Sequence, residues 1–208
     1  MNLPFLKYLK PLFGSKDCFE PEPLRLHGHI LVEHQVGDGP KRVVVDDRNY
    51  IVAAGVTAAR DILMGPNGAL EGGIFRMAIG DNGTEPGQLY TPKIPDASWD
   101  ARTSLYHEVY RNDIAAFSTP TYNSMRFVGT FNSTGIADAS YDLSAQVINE
   151  AALIAGDGAL TAGGDPKQHG TGVDADEVMF STRTFNSVPW GNGDDITITI
   201  TWTISVIK

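Results

Sequence analysis

From Ile196 to Val206 apolar and hydroxyl residues alternate without a slip. Ile196, Ile198, Ile200, Trp202, Ile204 and Val206 share one parity, and Thr197, Thr199, Thr201, Thr203 and Ser205 share the other. Successive side chains on a strand point to opposite faces, so this period of two makes one apolar stripe and one hydroxyl stripe. The β-branched and aromatic content suits a pleated, half-buried surface. The pattern predicts a central strand with its isoleucines and Trp202 in the core. Its threonine face is either solvated or set against another subunit. Residues 124–131 repeat the logic: Met125, Phe127 and Phe131 share one face, Gly129 leaves a gap between them, and Arg126, Val128 and Thr130 take the other. A glycine inside a strand marks a bulge or a close backbone approach.

Earlier segments follow the same alternation less strictly. Residues 25–36 and 41–46 predict two strands joined by the turn Gly37-Asp38-Gly39-Pro40. Residues 50–64 are the one good helix candidate, with Val56, Ala59, Ile62 and Leu63 at helical spacing. Asn49 could cap a helix that tolerates Gly55, or Thr57 one that begins at Ala58. Gly65-Pro66 stops it. Further strands are expected at 74–80, at 108–117 with an interruption at Asn112-Asp113, and at 177–185. Residues 147–154 fit a short helix or a strand, and their neighbours favour strand. Residues 156–176 form a Gly/Asp-rich stretch, a loop length that in compact domains is functional or disordered. Together these predict a mainly β protein: an antiparallel β-sandwich with one short helix at about 54–64, long loops, and an extended N-terminal arm over residues 1–24 before a single domain at 25–208.

The arm differs in composition from the rest. Phe5, Leu6, Leu9 and Phe13 fit one side of a short helix bounded by Pro4 and Pro11, and Glu20-Pro21-Glu22-Pro23 is stiff and extended. Such a segment docks on another subunit or packs on its own domain. The net charge of −9 argues against a nucleic-acid surface and against anionic lipid, and the basic residues are scattered apart from Lys7, Lys10 and Lys16. Cys18 is the only cysteine, so no intrachain disulfide and no cysteine-based zinc site can form, and a reducing compartment is expected. No apolar run approaches the ~20 residues of a membrane span. The lysine-broken N-terminus predicts no signal peptide.

Few residues point to chemistry. His27 and His29 share a strand face with Glu33, while His34 takes the other, and no second cluster completes a metal site. Asp157, Asp165, Asp174, Asp176 and Glu177 crowd the long loop, which reads as solvated acid or as oxygen ligands for Ca²⁺, though the spacing matches no calcium-loop pattern. Nucleophile elbows, phosphate loops and dinucleotide fingerprints are missing, and no cofactor is expected. Trp99, Trp190, Tyr90 and Tyr122 fall in loops, where they either stack on sugars or anchor loops under neighbouring strands.

Three ordered pieces carry a resemblance. The first runs from Asp47-Arg48-Asn49-Tyr50-Ile51 through Ala59-Arg60-Asp61-Ile62-Leu63-Met64-Gly65. The second is Phe75-Arg76-Met77-Ala78-Ile79-Gly80-Asp81-Asn82-Gly83 with Leu105-Tyr106-His107-Glu108-Val109-Tyr110-Arg111. The third is Ile148-Asn149-Glu150-Ala151-Ala152-Leu153-Ile154, then Val178 to Phe185 and the Ile-Thr-Ile-Thr-Trp ending. Over residues 47–208 this series resembles small structural proteins of tailed bacteriophages. The resemblance implies a non-enzymatic virion component made in the host cytoplasm, in first place a decoration or cement protein on the capsid. A collar, tail or baseplate component is the alternative, and a carbohydrate-binding β-sandwich module is the rival from another class. The implied partners are the major capsid protein, other virion proteins and further copies of the chain, with no nucleic acid and no membrane. The expected contact residues are Phe5, Leu6, Leu9, Phe13, Trp99 and Trp190.

Overall fold

A computed structural model describes residues 25–64, 73–96, 98–134, 145–156, 177–191 and 195–207. The strands are β1 (Arg25–Val36), β2 (Arg42–Arg48), β3 (Tyr50–Ile51), β4 (Gly73–Gly80), β5 (Glu108–Asp113), β6 (Ala116–Thr121), β7 (Ser124–Asn132), β8 (Val147–Gly156), β9 (Glu177–Pro189) and β10 (Ile196–Ile207), with one helix, α1 (Ala53–Met64). They form two five-stranded sheets, β2-β1-β10-β7-β6 and β3-β9-β8-β4-β5. Every pairing within them is antiparallel. The architecture is the expected β-sandwich with one helix.

β10 lies at the centre of the first sheet, as its alternation requires. Ile196, Ile198, Ile200, Trp202 and Ile204 are all 2% exposed or less. Trp202 stands between Ile30 of β1 and Phe127 of β7. Its threonines face outward and are half-buried, flanked by Glu33 and His29 on one side and by Thr130 and Arg126 on the other. Gly129 pairs with Ile200, and the gap that it leaves is filled from the opposite sheet: a Cβ there would come within 2.6 Å of Met77 Sδ. Met77, Ile79, Leu153 and Phe180 complete the core on that side.

The second sheet is buried on both faces. Ala78, Ala152, Ile154 and Met179 alternate with the core residues and pack under Val52, Ala54 and Leu105. β8 is therefore covered above and below, which explains an apolar run with no clear period. The helix that covers it begins at Ala53, not at either capping site expected from the sequence. Asn49 instead donates to Ser181 Oγ, Ser181 Oγ donates to the Tyr50 carbonyl at 2.7 Å, and Tyr50–Ile51 pairs with β9. The expected 108–117 strand is two strands in different sheets, with the chain crossing over at Ile114-Ala115.

Gly55 sets how closely α1 approaches β9. A Cβ there would overlap the Phe180 carbonyl. Alanine raises helix propensity by about 1 kcal/mol, but a clash with main chain cannot be relieved by a rotamer change, and overpacking costs about 1–3 kcal/mol. Gly55→Ala is expected to lower the urea unfolding midpoint. A raised midpoint would show that the clash is not felt.

Candidate interaction surface

Two buried carboxylates organise the covered face of the second sheet. Glu177 is 1% exposed at the start of β9. One of its oxygens accepts from Arg76 Nη1 of β4 at 2.7 Å, and the other accepts from Arg111 Nη1 of β5. Arg111 also makes a two-pronged pair with Glu108, at 2.7 Å for each prong, and Arg76 reaches Asp113 at 3.1 Å. Burial works against the Arg111 charge, but Glu108 and Glu177 outweigh it and hold the guanidinium pKa above its ordinary value. Glu177 is thus neither solvated acid nor an available calcium ligand, because both its oxygens are committed to arginine. Asp157, Asp165, Asp174 and Asp176 lie outside the described residues.

Glu150, in β8, pins the segment that crosses the same face. It accepts N–H bonds from Tyr106 and His107 at 2.9 Å each and from Asn82 at 3.4 Å, with Arg102 Nη2 at 3.5 Å. Burial pushes its carboxyl pKa up, and the N–H donors and Arg102 offset part of that rise. Next to it, Asn149 Oδ1 accepts from the Gly83 N–H at 2.6 Å, while its Nδ2 donates to Ser187 Oγ at 3.0 Å. Both carboxylates are occupied in holding chain to chain.

The two tryptophans expected to make contacts are anchors instead. Trp99 is 1% exposed in a one-turn 3-10 helix. It meets Tyr50 and Tyr106 edge-on, with ring centroids 5.7 and 6.4 Å apart, and the Arg102 guanidinium lies 5.0 Å from its ring. Trp190 is 2% exposed, and its backbone N–H donates to the Gln146 carbonyl at 2.9 Å. Neither ring is presented to a partner. Phe5, Leu6, Leu9 and Phe13 lie outside the described residues. The strand faces are as expected: His27, His29 and Glu33 lie on the outer face, where His29 Nε2 meets Asp46 at 2.9 Å and Glu33 faces Lys41 at 3.6 Å, and His34 lies on the inner side. Burial lowers the His34 pKa, the Pro189 carbonyl works against that, and Arg42 adds to it. His34 and Arg42 line a cleft of about 180 Å³ with Val36, Gly39 and Pro40.

The surface that sequence reasoning missed is the far edge of the first sheet. All six residues of β6 are exposed. Phe117 pairs with Phe127, which is 7% exposed, so Phe117 lies on the core side of its strand, yet it is 83% exposed. The first sheet overhangs the second at this corner. Met125 lies on the same face two residues along β7 from Phe127 and is 45% exposed, and Tyr122 in the β6–β7 turn is fully exposed. Ordinary surfaces expose single apolar residues. Here Phe117 and Met125 share one face of the β6–β7 pair and Tyr122 sits in the turn that joins them, along a strand that is unpaired on its outer side among the described residues, where backbone N–H and C=O groups also lie open. A second exposed set, Leu89, Tyr90 and Ile94, sits on the loop over the second sheet. No family model, curated protein or solved structure matches the chain.

Proposed function

We propose that the protein is a non-enzymatic structural component of a tailed-bacteriophage virion, in first place a decoration or cement protein of the head. The observation that carries this reading is the overhanging β6–β7 corner. Phe117, Tyr122 and Met125 are held in water by a rigid sheet edge, and such side chains gain about 1.5–3 kcal/mol each when a partner covers them. The buried carboxylates support it: Glu150 and Glu177 serve to fasten segments together, and their oxygens are already taken. The acidic charge keeps the protein from packaged nucleic acid, and the resemblance over residues 47–208 points to the same class. The corner, the loop carrying Tyr90 and Ile94, and the arm would contact the major capsid protein or further copies of the chain. A place in the collar or tail is the alternative within the virion.

Labelled copies are expected over the whole surface of purified heads, in numbers comparable to the capsid lattice. Label confined to one vertex or to the tail would move the protein to the collar or tail, and absence from particles would overturn the reading. Phe117→Ser, at an exposed position, is expected to leave the melting temperature within about 2 °C and to weaken particle binding about tenfold or more. Unchanged binding would take the corner out of the interface.

A further inference from the structure

The exposed corner has its complement in the same chain. Phe5, Leu6, Leu9 and Phe13 stand among the first sixteen residues, which hold three lysines and no acid. The remainder therefore carries all 25 acidic side chains against thirteen basic ones. An apolar segment and an open apolar corner are matched in polarity, and the acidic net charge of the body favours the approach of a basic segment.

Placement favours the match. β1 starts at Arg25, which pairs with Ile207 of β10. Ser205 pairs with Ser124 of β7, and Ser124 with Thr121 of β6. The chain before Arg25 thus joins the first sheet at the end that carries Tyr122, three strand spacings or about 15 Å away. Glu20-Pro21-Glu22-Pro23 immediately precedes β1. Proline biases such a sequence to extended backbone, a stiff spacer that favours reach to a neighbour over a tight return to its own sheet. Twenty-four residues span at most about 80 Å, enough to cross to a neighbour.

We propose that residues 5–13 of one copy dock on the Phe117–Tyr122–Met125 corner of a second copy. The inference rests on the reading of that corner as an assembly surface and names its occupant. Each copy offers one segment and one corner, so the exchange is mutual in a dimer, cyclic in a small ring, or open-ended where the rotation does not close.

The test uses purified full-length chain with Cys18→Ser as background. A tagged copy with Leu9→Cys is mixed under mild oxidation with an untagged copy carrying Tyr122→Cys. The control partner carries Val43→Cys, 62% exposed on β2 at the opposite edge of the same sheet. The mixed disulfide is expected to form about tenfold faster at Tyr122→Cys than at Val43→Cys, because docking raises the local concentration of the thiol. Adding Phe117→Asp to the receiving copy should remove the difference. Equal rates at the two sites would overturn the proposal. So would a chain carrying both Leu9→Cys and Tyr122→Cys that closes on itself in preference to a neighbour. No particle enters this assay, so its failure leaves the virion placement standing, and failure to find the protein on particles leaves the exchange standing.

Discussion

Glu177→Ala is expected to remove about 3–5 kcal/mol of stability, because it leaves Arg76 and Arg111 buried with a shared counter-ion missing. Both arginines are nearly inaccessible, at 6% and 4% exposure, and water cannot replace the carboxylate without opening the covered face of the sheet. Arg111 keeps Glu108, and Arg76 keeps the solvent-side Asp113, so the loss falls short of stranding two bare charges. Against a typical domain stability of about 5–15 kcal/mol, the variant should unfold at markedly lower urea and yield less soluble protein. A triple variant with Arg76→Met, Arg111→Leu and Glu177→Met should recover most of the loss, since a buried ion pair is costly to break and cheap to replace by packed apolar groups. If Glu177→Ala unfolds within about 0.5 kcal/mol of the parent, the network is not what holds β9 to β4 and β5.

Glu150→Ala is the second large effect. It takes the acceptor from the N–H groups of Tyr106, His107 and Asn82 at once. The three bonds are part-buried, so each orphaned donor costs about 1 kcal/mol, the low end for such groups, and the total reaches roughly 3 kcal/mol. Loss of hydrogen-exchange protection at Tyr106 and His107, with β8 and β9 still protected, would show the crossing segment detaching on its own. The pH dependence has a definite sign. Burial holds the Glu150 pKa above its unfolded value, so the folded state binds more protons, and stability is lost as pH rises from about 4 through the raised folded value. The gap between parent and variant should therefore shrink with rising pH. A gap that widens would mean that the N–H donors outweigh burial.

Much of the fold is legible because alternation survives wherever one face is wet. β10 and β7 are read correctly down to the gap at Gly129, since each has one buried face and one half-open one. The interruption at Asn112-Asp113 is legible, but the passage of the chain from one sheet to the other between β5 and β6 is not. Residues 112–115 contain neither Gly nor Pro, and the crossover is made by long-range bonds, from the Asn112 amide to the Thr130 carbonyl and from the Ala115 N–H to the Val128 carbonyl. The buried charges are hidden for the same reason: Arg76 and Glu177 meet across 101 positions. Glu150 did leave a signal. Asn149-Glu150 interrupts an apolar run, and polar groups in a buried strand must find partners. The corner is the least legible feature. Alternation places Met125 with Phe127 on the core face, but their different exposures follow from where the opposite sheet stops.

The position of β10 has a consequence for how the protein is made. It is the middle strand of its sheet and the last of the described strands to be synthesised. Until it emerges from the ribosome, β1–β2 and β6–β7 are two separate hairpins, each too small to be stable alone. Ile30, Val32, Phe127 and Phe131 then have no strand to pack around. Joining Arg25 to Ile207 closes a loop that contains both sheets in one step, the kind of contact that slows folding most. The sandwich is therefore completed only once β10 has emerged, and the waiting hairpins are the state in which a chaperone or a neighbouring nascent chain meets this protein.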